Sequence, residues 1–148
     1  MMRSHVTKGA PGLALGKSNL VPGSDGAGIV AAVGSRVMAL QVGDRVCTHM
    51  TYGLSPTDLP SLADIHAGLG NTLDGTMRQW GIFHESSLVK MPATLSYLEA
   101  ATLTCSGLTA WNALFGLPGV LPTVGDTVLI QGTGGVSIAA LQVLSSSY

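Results

Sequence analysis

The sequence predicts an α+β to α/β chain: a small antiparallel β-barrel or sandwich, then helices and one strand-turn-helix unit. Three observations carry the prediction. Short apolar runs alternate with Gly, Pro and Asp turns through residues 21–92. The texture becomes helical at Ser96. Near the end, Val128-Leu129-Ile130 runs into Gln131-Gly132-Thr133-Gly134-Gly135-Val136-Ser137, an apolar strand entering a glycine turn that opens a helix.

Taken in order, residues 1–20 read as loop-like, because Gly9, Pro11, Gly12 and Gly16 break any periodicity. Residues 28–33 form a strand candidate, Gly34-Ser35 a turn, 37–40 a short extended run, and Gly43-Asp44 the turn into a strand over 45–48. From 50 to 74 turn-forming residues are dense and Leu is scattered, which predicts a long surface excursion. Two further strands are predicted at 77–83 and 87–90. Ser96-Tyr97-Leu98-Glu99 is a capping box, in which the Ser hydroxyl takes the Glu amide and the Glu carboxylate reaches back to the Ser amide. A helix over 107–115 follows, ended by Gly116 and Pro118, then a strand over 127–130 and a helix over 135–144. The repeated Val-Gly-Asp at 42–44 and 124–126 is turn chemistry ahead of a strand, not an internal repeat.

A charged fraction of 10% and a net charge of −1 give the chain no electrostatic reason to seek nucleic acid or an anionic membrane. Every apolar stretch is short and cut by Gly or Pro, so no membrane span is expected and the chain reads as soluble. Two cysteines make no disulfide framework, and the first residues lack the apolar core of a signal peptide; a reducing cytoplasm is the expected compartment.

The glycine turn reads as half of a dinucleotide site. Glycines permit the tight turn and let backbone N–H groups approach a pyrophosphate at the positive end of a helix dipole. The alternative is a strand-turn-helix connection with no ligand. Asp25 and Asp44 read as turn residues and Glu99 as a cap, so no carboxylate is nominated as general acid or base.

Pro22-Gly23-Ser24-Asp25-Gly26-Ala27-Gly28, Val33-Gly34, Val42-Gly43-Asp44-Arg45-Val46, Asp74-Gly75-Thr76, Glu99-Ala100-Ala101-Thr102, Leu108-Thr109-Ala110-Trp111 and the glycine turn resemble, in order and spacing, the medium-chain dehydrogenase/reductase superfamily. The likeness runs from about Val21 to Leu144 and is nearest to the zinc-independent, quinone-reductase-like branch. It implies a partial GroES-like β domain over 1–95, then connecting helices and the first β-α unit of a Rossmann fold over 96–148, with further segments of the family on both sides. It also implies hydride transfer between NADP(H) or NAD(H), the former preferred by analogy with the branch, and a small-molecule carbonyl, quinone or enoyl substrate. Thr109, Gly132, Thr133, Gly134, Gly135, Val136 and Ser137 are the cofactor-binding residues so implied. The Thr109 hydroxyl suits a nicotinamide carboxamide or ribose; otherwise it bonds its own preceding turn.

No zinc is expected. The zinc-dependent branch carries Gly-His-Glu where this chain has Gly23-Ser24-Asp25, and the cysteine cluster of its structural zinc lobe is missing. Cys105 stands at a ligand position of that branch but reads as a small buried apolar residue. Cys47 and His49 share a strand face without further ligands in view, and His5, His66 and His84 read as isolated and solvent-facing. Trp111 and Phe115 read as core residues rather than pocket walls. As an isolated chain, a piece of this extent is expected to be inactive and to self-associate or pair with a full-length relative. The competing expectation is a non-catalytic module that binds a protein partner.

Overall fold

The computed structural model describes residues 19–51, 53, 54 and 59–147. It divides into two compact units, Met1–Ala101 and Thr102–Tyr148. The predicted loop over 1–20, and His5 with it, lies almost wholly outside the described residues.

In the first unit three short strands, β1 (Ala27–Ile29), β2 (Arg45–Thr48) and β3 (Leu88–Lys90), form an antiparallel sheet in the order β1-β2-β3. Cys47 lies opposite Ala27 on one side and Val89 on the other. Central placement buries β2 at Val46, Cys47 and Thr48, and Cys47 packs with Met91 and Ala100 into a small core edged by Ala27 and Leu95. The β1–β2 connection closes through Val30 N–H to Asp44 O and Gly43 N–H to Val30 O, with Gly43 at φ 93°. That left-handed turn is open to glycine without a steric penalty.

Arg45 ties the linker after β3 to the sheet. Its guanidinium donates to Ala93 O at 3.1 Å and Leu95 O at 2.6 Å, and lies 4.8 Å over the Tyr97 ring. After β3 comes α2 (Tyr97–Ala100), whose Ser96–Glu99 capping box is complete. Upstream of β3, α1 (Leu62–His66) interrupts the predicted surface excursion, and a 3-10 turn spans Glu85–Ser87.

Two strands predicted within the first unit are absent. Over 37–40 the amides of Met38 and Ala39 donate to the Glu85 carboxylate, so a side chain takes the hydrogen bonds a neighbouring strand would have received. Over 77–83 pairing stops almost at once. Gly75, Thr76 and Met77 donate to the carbonyls of Val21, Gly23 and Pro22, after which Arg78 N–H turns back to Thr76 O. The run then leaves the surface it was paired to, and Ile82 is 97% exposed.

The second unit is helical. A wide turn over Leu103–Gly107 with i→i+5 closure leads into α3 (Leu108–Phe115), and α4 (Gly135–Ser147) closes the unit. The predicted strand over 127–130 is an extended connection without ladder partners among the described residues. Leu129 is 81% exposed there. A parallel strand needs neighbours on its edges, and none of the described segments supplies one.

Asp44 joins three pieces of the first unit. Its carboxylate accepts the Gln41 amide at 3.0 Å and pairs with Lys90 of β3 at 3.0 Å. These contacts hold it below the ordinary carboxylate value of 3.8. A carboxyl with a depressed pKa stabilises the fold above its ordinary value, and that contribution is lost as pH falls through the folded value. Asp44→Asn therefore lowers the unfolding midpoint at neutral pH, and the difference from the parent chain shrinks as pH falls below 3.8. Melts at stepped pH check it; a gap independent of pH contradicts it.

Candidate functional site

The strongest local candidate is the turn that opens α4. Gly132 has φ 89°, a conformation side chains with a Cβ rarely adopt. The Ser137 hydroxyl donates back to Gln131 O at 3.0 Å and closes the turn, while Ile138 N–H to Gly134 O at 3.0 Å starts the helix. The first amides of α4, including Gly135 and Val136, have no carbonyl one turn earlier to receive them, and with the helix dipole they favour an anion. A Cβ at Gly134 would meet open space. The glycines thus divide: Gly132 serves backbone conformation, and Gly134 leaves room beside the orphan amides.

Gly135 serves packing. A Cβ there would stand 2.7 Å from the Ser106 hydroxyl and 3.3 Å from Ser106 Cβ. Ser106 belongs to the wide turn, whose geometry brings it against α4; nothing in its sequence neighbourhood signals this. The Thr104 hydroxyl in the same turn is buried without a hydrogen-bond partner. Thr109 is exposed on the first turn of α3.

Several expectations are corrected. Cys105 is an exposed free thiol on the outside of the wide turn's packing, not a buried apolar residue. Trp111 is 55% exposed, not core, and leans on Phe115 with ring centroids 4.7 Å apart. His84 is exposed but not isolated: its Nδ1 meets the Ser86 hydroxyl at 2.7 Å and caps the 3-10 turn.

The donors that invite a metal reading have other partners. Cys47 is in the core with its thiol directed at Val89 O, and His49 Nε2 is 2.6 Å from Ser86 O. The Ser24 hydroxyl donates to the Asp25 carboxylate at 2.6 Å. No three His, Cys, Asp or Glu side chains converge among the described residues. The set does not fit a zinc ion, which takes four ligands, or three and a water. No helix among the described residues is long and apolar enough to cross a membrane.

The thiols differ sharply. Burial pushes the Cys47 thiol up and shields it, whereas Cys105 is open to solvent. Iodoacetamide should alkylate Cys105 at least about tenfold faster than Cys47, since thiolate fraction and access set the rate. Peptide mapping reads the ratio, and equal labelling contradicts the placement.

Residues 2–93 match the alcohol dehydrogenase GroES-like domain. The chain belongs to that family. It is thereby a member of the medium-chain dehydrogenase/reductase superfamily. The zinc-type alcohol dehydrogenase-like protein of Schizosaccharomyces pombe is 44% identical over 140 residues, covering 93% of this chain and 39% of that protein. A solved structure from Sinorhizobium meliloti 1021, assigned to the alcohol dehydrogenases, superposes with a TM-score of 0.79 at 36% identity, covering 91% of this chain and 40% of its own. An NAD-dependent alcohol dehydrogenase superposes with a TM-score of 0.70 at 34% identity, covering 98% of this chain and 42% of its own. The chain thus spans about two fifths of the length of these relatives. The β1-β2-β3 sheet is the part of the GroES-like domain it displays.

Proposed function

We propose that this GroES-like family member is part of a nicotinamide-dependent oxidoreductase that moves a hydride between NAD(P)(H) and a small carbonyl, quinone or enoyl compound. The nicotinamide supplies the hydride chemistry. In this reading 96–148 comprises connecting helices and the start of a Rossmann domain, in which the amides of Thr133, Gly134, Gly135 and Val136 bind the pyrophosphate and Ser137 holds the turn closed. Thr109 serves the carboxamide or ribose. The supporting observation is the turn itself: a left-handed Gly132 and an open Gly134 beside unpaired amides at the start of a helix. The NAD-dependent enzyme among its structural neighbours supports a nicotinamide cofactor. Ser24 in place of an imidazole, already bonded to Asp25, supports a zinc-independent centre.

An amide-resolved NMR titration of the chain with NADPH and NADH tests this. Shifts concentrated at 132–137, saturating at about millimolar ligand and lost on Gly134→Val, are the expected result, with NADPH the tighter. Shifts that survive Gly134→Val, or none in that turn, overturn the assignment. Elemental analysis should find no stoichiometric zinc; one zinc per chain that survives mild chelation overturns the zinc-independent reading. The second reading, a non-catalytic module that binds a protein partner, draws on the exposed Leu117, Val120, Leu121 and Val124.

A further inference from the structure

We infer that the first unit holds a binding site for a small alkyl carboxylate, built on Arg78. A cavity of about 370 Å³ opens between the 69–74 and 78–87 segments, large enough for a small organic ligand. Leu69, Leu73 and Ile82 contribute apolar wall; Thr72, Arg78 and His84 contribute polar groups.

Arg78 is short of acceptors. Its guanidinium lies 5.0 Å over the Phe83 ring, and Nη2 donates to Asp74 O at 3.3 Å, a long bond. Nε is buried with no hydrogen-bond partner. The Nη1–Nη2 end of the guanidinium, with only one long bond to Asp74 O, presents two parallel N–H groups that match the two coplanar oxygens of a carboxylate. The Phe83 ring holds the guanidinium by a cation–π contact. The Asp74 carboxylate also borders the cavity, but its Oδ1 receives the Val21 amide at 3.0 Å. The apolar wall chooses an alkyl carboxylate over a bare inorganic anion. Nothing in this site involves the glycine turn, so it stands apart from the dinucleotide reading.

The test is an NMR titration of the chain with hexanoate, hexan-1-ol and inorganic phosphate. The expected result is saturable hexanoate shifts at Thr72, Arg78 and His84, with the alcohol and phosphate each at least about tenfold weaker. Arg78→Gln should abolish the response. Ile82→Glu, at a site 97% exposed and so without cost to folding, should weaken hexanoate about tenfold by like-charge repulsion while the unfolding midpoint stays put. Equal affinity for hexan-1-ol would make the cavity a plain apolar crevice and overturn the proposal. Equal affinity for phosphate, undiminished hexanoate binding in Ile82→Glu, or no saturable shift would overturn it as well.

Discussion

Gly75→Ala should unfold the first unit or leave it severely destabilised. Gly75 is buried where 75–77 pairs with 21–23, and its amide donates to Val21 O at 2.7 Å. A Cβ there would overlap the Gly23 carbonyl oxygen and stand 2.7 Å from Pro22 O. Both obstacles are backbone, so no rotamer change relieves them. Gly70 meets the same strand of chain, since a Cβ at Gly70 would lie 2.8 Å from Gly23 N, and Gly70 itself has φ 75°. Overpacking a closed site costs about 1–3 kcal/mol and more where backbone must move. We expect at least about 3 kcal/mol for Gly75→Ala, a large share of a small domain's stability. Gly34→Ala, where a Cβ meets nothing within 4 Å, is the control. Chemical denaturation of both variants checks the prediction, and matching midpoints would refute the glycine contact.

Gly135→Ala and Gly134→Ala should fail in different ways. At Gly135 the added methyl meets Ser106, and the helical unit should lose about 1–3 kcal/mol. Ser106→Gly removes the obstructing hydroxyl and Cβ, so the double variant should recover most of that loss, a coupling visible in a double-mutant cycle. Gly134→Ala meets open space and should leave stability nearly unchanged. If the dinucleotide reading is right, it weakens cofactor instead, by crowding the approach to the helix amides. Additive Gly135 and Ser106 effects would dissolve the packing role. A destabilising Gly134→Ala would mean the turn is closed by something other than Ser137 and Gln131.

Much of the local structure was legible because its hydrogen bonds close within three or four residues. Ser96 and Glu99 cap each other across three positions. The two Val-Gly-Asp segments share one device: each Asp takes an amide three residues earlier, Gln41 for Asp44 and Thr123 for Asp126, with Gly43 and Gly125 both at positive φ. The glycine turn before α4 is also local, pinned by Ser137 to Gln131 across six positions. The role of Ser106 has no local signal, because it lies against Gly135, which the sequence does not place beside it.

The sequence by itself determined the turns, the caps, the helices around Trp111 and Ile138, and the motifs that mark the family. Tertiary structure alone decided which apolar runs became strands. Residues 27–29, 45–48 and 88–90 found one another, while Met38 and Ala39 gave their amides to Glu85 and 127–130 gained no ladder among the described residues. It also decided that Cys47 is core and Cys105 surface, though each thiol has a threonine as its sequence neighbour. The physical reason is the range of the interaction. A helix or turn satisfies its backbone groups from within its own few residues, whereas a strand or a buried side chain depends on what the distant chain brings to it.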